Sequence, residues 1–177
     1  MTAAESPFPQ HQLMRDAQHA AIHLELRDVY TVDADEDYPA WLEGWRPDPD
    51  EERWRSGFYG IIGEATERGV NVRRLRVVSE PVTDYIRYEY DLTFANIAIG
   101  EEVRWLPRRD AVGLLLPAVD FWIFDASTVM LTHWDGNGRA DDPFRDISQD
   151  TELIKTYTDA FDALWARATP HEDYVPR

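Results

Sequence analysis

Short segments with a strand-like period of two residues alternate along this chain with longer segments of helical period, and this alternation limits the possible folds most strongly. The predicted strands are 22 towards 32, 70–79, 102–106, and a hairpin of 119–125 and 128–135. The predicted helices are 10–21, 38–45, 50–69, 81–100 and 150–168, and 33–37 predicts an acidic turn. Alternating strands and helices predict an α/β fold with a mostly parallel or mixed central sheet flanked by helices.

The helix boundaries are predicted from capping residues. Asp50 is a good N-cap for the third helix, Pro81 opens the fourth, and Gly69 and Gly100 close them. We divide the chain into an N-terminal helical extension at 1–21, one α/β domain at 22–169, and a short polar tail at 170–177. A chain of 177 residues has the length of one ordinary domain.

Composition excludes several classes of function. The chain has no cysteine, which excludes disulfides, thiolate catalysis and cysteine zinc sites. Its formal net charge of −16 disfavours binding to nucleic acid and to anionic membranes, and fits either plain solubility or a basic partner. There is no signal-like segment at the N-terminus and no membrane-length apolar run, so we expect a cytoplasmic protein.

Two helix-to-strand passages, at 62–75 and 98–106, resemble those of phospholipase-D-like domains, and the hairpin lies where such domains carry their catalytic strand. The resemblance implies one half of a phospholipase-D-like enzyme, with the motif His-x-Lys-x-x-x-x-Asp. Aligning Asp125 with the motif aspartate places Ala118 at the nucleophilic histidine and Asp120 at the phosphate-binding lysine. The resemblance therefore implies a vestigial motif, because an anion at the lysine position repels a phosphodiester.

The whole chain also resembles a family of actinobacterial-type proteins that are often encoded beside Xre-type helix-turn-helix regulators. The segments that carry this resemblance are 73–81, 84–89 and 100–108, together with the turn His133-Trp134-Asp135. It implies a regulatory accessory role, with a helix-turn-helix regulator as the protein partner. A homodimer is a further expectation, and no cofactor is expected.

Arginine is concentrated in one part of this acidic chain. Residues 68–109 contain eight arginines and six acidic residues, mostly on predicted strands and at strand ends. In open α/β sheets ligands bind at the carboxyl ends of strands, so the arginines predict a cleft for a small anion, unless they pair with the chain's own acids. The candidate ligand- or partner-binding residues are Arg74, Arg76, Tyr85, Arg87, Arg104 and Trp105.

Other possible sites are weaker. His19 and His23 are four residues apart but lack the glutamate of a metalloprotease helix, and 135–138 departs from a calcium loop after its start. We therefore expect no metal site. The sequence predicts a non-catalytic regulatory binding module, with the sensing of a small anionic ligand as a further expectation. The alternatives are an enzyme acting on an anionic substrate at an arginine-lined cleft, and a DNA mimic.

Overall fold

The computed structural model describes residues 8–31 and 36–177, so most of the predicted acidic turn and the end of the first predicted strand lie outside the described residues. The strands are β1 Ala20–Glu25, β2 Asn71–Val78, β3 Glu102–Pro107, β4 Asp120–Phe124, β5 Thr128–Trp134, β6 Ala140–Ser148 and β7 Thr169–Pro170. The α-helices are α1 Pro9–Asp16, α2 Asp37–Leu42, α3 Gly57–Glu67, α4 Asp84–Ala98 and α5 Thr151–Trp165.

The strands form one seven-stranded sheet in the order β6-β5-β4-β1-β2-β3-β7. The pairs β1–β2 and β2–β3 are parallel, and the other neighbouring pairs are antiparallel. The predicted α/β fold with a mixed sheet flanked by helices is confirmed. Among the described residues, no helix combines the length and the apolar character that crossing a bilayer requires.

The two faces of the sheet differ in chemistry. On one face, Leu24, Leu75 and Phe121 pack with the α5 residues Phe161 and Leu164 in a continuous apolar core. The opposite face carries two separate apolar clusters, one beside α1 and α3 and one beside α2 and α4.

Along β2, the residues that face these two clusters are not all apolar. Val72 belongs to the cluster beside α1 and α3, and Val78 to the cluster beside α2 and α4. Arg74 and Arg76 lie between them on the same face, because side chains alternate along a strand. The polar region of this face is therefore enclosed by apolar packing at both ends.

The third predicted helix is wrong at its start. Glu52–Arg55 forms a separate 3-10 turn, and α3 begins only after Ser56, whose backbone is extended. Gly57 adopts a φ of +56°, which breaks the continuity that the sequence pattern predicted. The predicted end is confirmed, since Gly69 has a φ of +93° directly after the helix.

The fourth predicted helix is also corrected at its start. α4 begins at Asp84 rather than at Pro81, because Thr83 caps it by accepting a hydrogen bond from the backbone N–H of Ile86 at 3.1 Å. Ile97, in the last turn of this helix, is 42% exposed. The predicted Gly100 terminus is confirmed by its φ of +88°.

Strand β6 was not predicted, because its sequence contains three aspartates and a proline that are typical of a loop. It lies at the sheet edge, where such residues are tolerated. The first helix and the last strand both join the domain: Met14 of α1 is fully buried, and β7 pairs with β3. Tyr174 stacks on Trp105 with ring centroids 5.4 Å apart.

Candidate functional site

A buried network of ion pairs occupies the polar region of the sheet. Glu25 of β1 pairs with two arginines of β2. Its Oε1 accepts a hydrogen bond from Arg74 Nη1 at 2.9 Å, and its Oε2 forms an ion pair with Arg76 Nη1 at 2.9 Å. Arg74 Nε also lies 2.8 Å from Glu101 Oε1, and Arg76 Nη2 lies 2.7 Å from Glu89 Oε2. Both arginines are thus paired with two carboxylates of the same chain.

Further hydrogen bonds fix the outer carboxylates of this network. Glu101, 2% exposed, accepts from Asn96 Nδ2 at 2.6 Å, and Glu89 accepts from the Tyr85 hydroxyl at 2.8 Å. Burial opposes the positive charge of Arg76, but the charges of Glu25 and Glu89 outweigh it and raise the arginine pKa. The guanidinium groups therefore stay charged and are held in fixed positions.

Asp120 on β4 lies beside this network but is bound differently. Its carboxylate accepts three hydrogen bonds from neutral donors: the Tyr30 hydroxyl at 2.6 Å, the Leu26 backbone N–H at 2.8 Å and the Trp134 indole at 3.0 Å. Burial raises the pKa of Asp120 to about 6, and the negative charge of Glu25 adds to this effect. The three hydrogen bonds lower the pKa, but they offset only part of the rise. Among the described residues, no arginine, lysine or histidine lies within 4 Å of this carboxylate.

These groups line a cavity of about 260 Å³ on the helix-covered face of the sheet. Its charged lining is contributed by β1, β2, α4, β4 and β6. Aromatic rings form much of the remaining wall, namely Tyr30, Phe58, Tyr85, Trp122 and Trp134. Tyr30 and Trp134 meet edge to face, with ring centroids 5.0 Å apart. The cavity combines a few placed charges with apolar walls, as ligand sites do.

His23 contributes a neutral imidazole to the cavity. Its ring stacks on Trp122 with a centroid distance of 4.1 Å, directly beside Arg74 in the β1–β2 register. Burial, followed by the charges of Arg74 and Arg76, lowers the pKa of His23 well below its ordinary value. In the described part of the chain, His23 Nδ1 and Arg76 Nε have no hydrogen-bond partner.

The predicted binding residues divide into two groups. Arg74, Arg76 and Tyr85 converge on the cavity, and Trp105 lies beneath Arg76, whose guanidinium carbon is 5.5 Å from its ring centroid. Arg87 is exposed on α4.

Arg104 is separated from the cavity by the sheet itself. It pairs with Leu75 in the β2–β3 register and so shares the α5 face. Its guanidinium carbon lies 4.5 Å from the Trp165 ring centroid, and its Nη1 donates to the Trp165 carbonyl at 3.2 Å. Of the eight arginines in the arginine-rich segment, the cleft therefore contains only Arg74 and Arg76, while Arg73, also on β2, lies on the α5 face beside Phe161.

The aspartates of the vestigial motif have separate surroundings. Asp120 lies in the cavity, whereas Asp125 occupies the β4–β5 turn, where its carboxylate accepts backbone N–H groups of Gln18, His19 and Ala20 at 2.8–3.0 Å. These hydrogen bonds lower the pKa of Asp125 against the opposing effect of burial. Asp125 thus ties the turn to the start of β1. Ala118 is exposed on the segment before β4.

Several cavity residues were not predicted as binding residues, among them His23, Glu25 and Glu89. A signal existed for the first two, because they alternate with Ile22 and Leu24 along β1 and so place polar groups on one face of a central strand. No local pattern marks Glu89, since its partner Arg76 belongs to a different element.

The two possible metal sites were tested by geometry. Among the described residues, no three histidine, aspartate or glutamate side chains group closely enough to hold a metal ion. His19 is exposed before β1, while His23 faces the cavity. Asp135 Oδ1 accepts the backbone N–H groups of Asn137 and Arg139, which makes this segment a hydrogen-bonded turn.

The model of one protein family, described as a domain of unknown function (DUF6879), matches residues 10–176. No curated protein matches the chain at a significant level.

Several solved structures share the fold. Nuc from Salmonella typhimurium, a phospholipase D family member, is 11% identical with a TM-score of 0.51, and covers 90% of this chain and 86% of its own. NucT from Helicobacter pylori is 12% identical with a TM-score of 0.50, covering 92% and 88% respectively. TrmBL2 is an archaeal chromatin protein described as showing a novel mode of DNA binding, and it is 14% identical with a TM-score of 0.48. The match covers 93% of this chain but only 50% of TrmBL2, so the chain spans about half the length of that protein. At these identities the likeness shows a phospholipase-D-like fold alone.

Proposed function

We propose that this chain, which belongs to the DUF6879 family, is a non-catalytic binding module built on a phospholipase-D-like fold. The observation that carries the proposal is the buried acidic side chain of Asp120 in the cavity. The motif alignment gives this position to a phosphate-binding lysine and gives the exposed Ala118 to the nucleophile. A carboxylate at this point repels a phosphodiester, and alanine offers no nucleophile.

The arginines do not replace the missing cation. Arg74 and Arg76 are each held by two carboxylates, so their charge is already neutralised within the chain. A phosphate entering the cavity would have to compete with these ion pairs and approach Glu25, Glu89 and Asp120. This arrangement supports binding without phosphoryl chemistry, and it weighs against the small anionic ligand expected from the sequence.

We propose a helix-turn-helix regulator as the partner, and hence a regulatory role. The support is the family resemblance of segments 73–81 and 84–89 and the net charge of −16, which favours association with a basic protein surface.

The test combines a turnover assay with a reconstitution. The purified protein is incubated with bis(p-nitrophenyl) phosphate and with single-stranded DNA, alongside His23→Ala, since His23 is the imidazole of the cavity. We expect no turnover above the variant. A stoichiometric complex with a helix-turn-helix protein from the same cells, reproduced by size-exclusion chromatography of the two purified proteins, supports the partner. Turnover that His23→Ala or Asp120→Asn abolishes would overturn the proposal.

A second candidate is an enzyme of another class acting at the same cavity. The pKa of Asp120, raised to about 6, suits a general acid or base near neutral pH, and Arg76 Nε is left to donate to a substrate. This candidate predicts turnover of some substrate with a pH dependence near 6 that Asp120→Asn removes.

A further inference from the structure

We infer that the cavity binds one monovalent organic cation, an ammonium or guanidinium group on a short aliphatic stem, against the carboxylate of Asp120. This inference rests on the proposed binding function and specifies the chemistry of the bound group. It reverses the charge preference of the catalytic site that the motif resemblance implies.

The charge balance of the cavity is the first argument. Four carboxylates belong to the cluster, one each from β1, α4, the residue before β3 and β4, and two arginines of β2 pair with three of them. The carboxylates are those of Glu25, Glu89, Glu101 and Asp120, and the arginines are Arg74 and Arg76. Arg145 of β6 also lines the cavity. His23 is neutral, because its pKa lies well below its ordinary value. Among the described residues, the carboxylates of the cluster therefore outnumber the arginines that pair with them, and a bound monovalent cation offsets the charge of the carboxylate that has no such partner, Asp120.

The location of that excess charge is the second argument. Glu25, Glu89 and Glu101 are all paired with Arg74 or Arg76, while Asp120, 4% exposed, has only neutral donors around it. Burying a carboxylate without a counter-ion is unfavourable, and a bound cation removes this cost by pairing with the carboxylate. The cavity beside Asp120 is where a ligand can supply it.

Size and wall chemistry define the ligand further. A volume of about 260 Å³ is below that of pockets for drug-sized molecules, so the cavity fits a single group of side-chain size. The rings of Tyr30, Tyr85 and Trp134 favour a cation over a neutral group and also accept the aliphatic stem. The same chemistry is available from a free amine and from a lysine or arginine side chain of a basic partner.

The wild-type protein allows a direct test by isothermal titration calorimetry with butylguanidinium, butylammonium and butyl phosphate. We expect one site for the two cations at pH 7.5 and none for butyl phosphate. At pH 5.0 the affinity for the cations should fall about tenfold, since a proton then competes for Asp120. Absent cation binding, equal affinity at both pH values, or tighter binding of butyl phosphate would overturn the inference.

Variants locate the site. Asp120→Asn removes the charge with little change in shape, and its matched control is Asp146→Asn, an exposed carboxylate on the other face of the sheet. Cation binding should be lost in the first and unchanged in the second. If Asp120→Asn does not fold, Thr132→Lys serves instead, because Thr132 lies directly opposite Asp120 in the β4–β5 register and lines the cavity. Its ammonium group should occupy the site and block butylguanidinium, and wild-type binding by this variant would refute the inference.

The source of the cation follows from a last comparison. A blocked peptide Gly-Gly-Arg-Gly-Gly that binds more tightly than butylguanidinium supports capture of a partner side chain, and the reverse order supports a free amine. Failure of all cation titrations, with no phosphodiester turnover, removes this inference and leaves the binding function standing. Turnover removes the binding function itself.

Discussion

Replacing Arg76 with methionine tests whether the arginines of the cavity hold the fold together rather than await an anion. Methionine keeps an unbranched stem of similar reach but leaves the Oε2 atoms of Glu25 and Glu89 without their cation. Breaking a buried ion pair costs about 3–5 kcal/mol. Because Glu25 keeps Arg74 and Glu89 keeps the Tyr85 hydroxyl, we expect the lower end, about 3 kcal/mol.

Arg104→Met is the matched control. Arg104 lies on the neighbouring strand and the opposite face, and loses one hydrogen bond to the Trp165 carbonyl and one cation–π contact. Its expected cost is about 0.5–1 kcal/mol. The two variants make the same chemical change, so their difference reports the burial and pairing of Arg76.

The assay is urea unfolding at pH 7.5, followed by circular dichroism and tryptophan fluorescence. A thermal scan gives a second measure of the same loss. For a chain of this length, a loss of about 3 kcal/mol lowers the unfolding temperature of Arg76→Met by about 6–12 °C relative to the wild type. Equal losses in Arg76→Met and Arg104→Met would refute the view that Arg76 is a structural member of a buried network.

Three further predictions concern single residues. The folded-state pKa of Asp120, about 6, exceeds its ordinary 3.8, so the contribution of Asp120 to stability falls as pH rises from about 4 to about 6. In urea titrations, Asp120→Asn should therefore gain about 3 kcal/mol relative to wild type between pH 4 and pH 7.5. Asp125→Ala removes three acceptors of backbone N–H groups and should cost about 1–3 kcal/mol, with its cost shrinking at low pH because the pKa of this carboxyl is depressed. Gly138→Ala should destabilise more than Gly69→Ala in thermal scans, since both have positive φ but only at Gly138 would a Cβ meet a backbone oxygen, that of Val29 at 2.7 Å.

Much of the fold could be predicted from the sequence because its signals are local. The strands β2 and β3, the β4–β5 hairpin and the last helix follow from periodicity, and Gly69 and Gly100 mark helix ends by their backbone freedom. Strand β6 could not be predicted, because its pairing with β5 outweighs the low strand propensity of its sequence.

The site was less predictable because its partners are distant in sequence. Alternation along β2 places Arg74 and Arg76 on one face, but the carboxylates that hold Arg74 are 49 and 27 residues away, in Glu25 and Glu101. The position of Arg104 depends on the β2–β3 register, which no short pattern reveals. The motif alignment did identify Asp120, whose buried position then follows from the neighbouring strands.

The most direct measurement is a carboxyl-carbon NMR titration of Asp120, with Asp120→Asn used to assign its signal. We predict a pKa near 6 in the free protein and a fall of at least one unit when butylguanidinium is added, because a bound cation stabilises the ionised carboxylate. An ordinary pKa in the free protein, or a raised pKa that butylguanidinium leaves unchanged, would contradict the claim that this cavity presents an unpaired carboxylate to a cationic ligand.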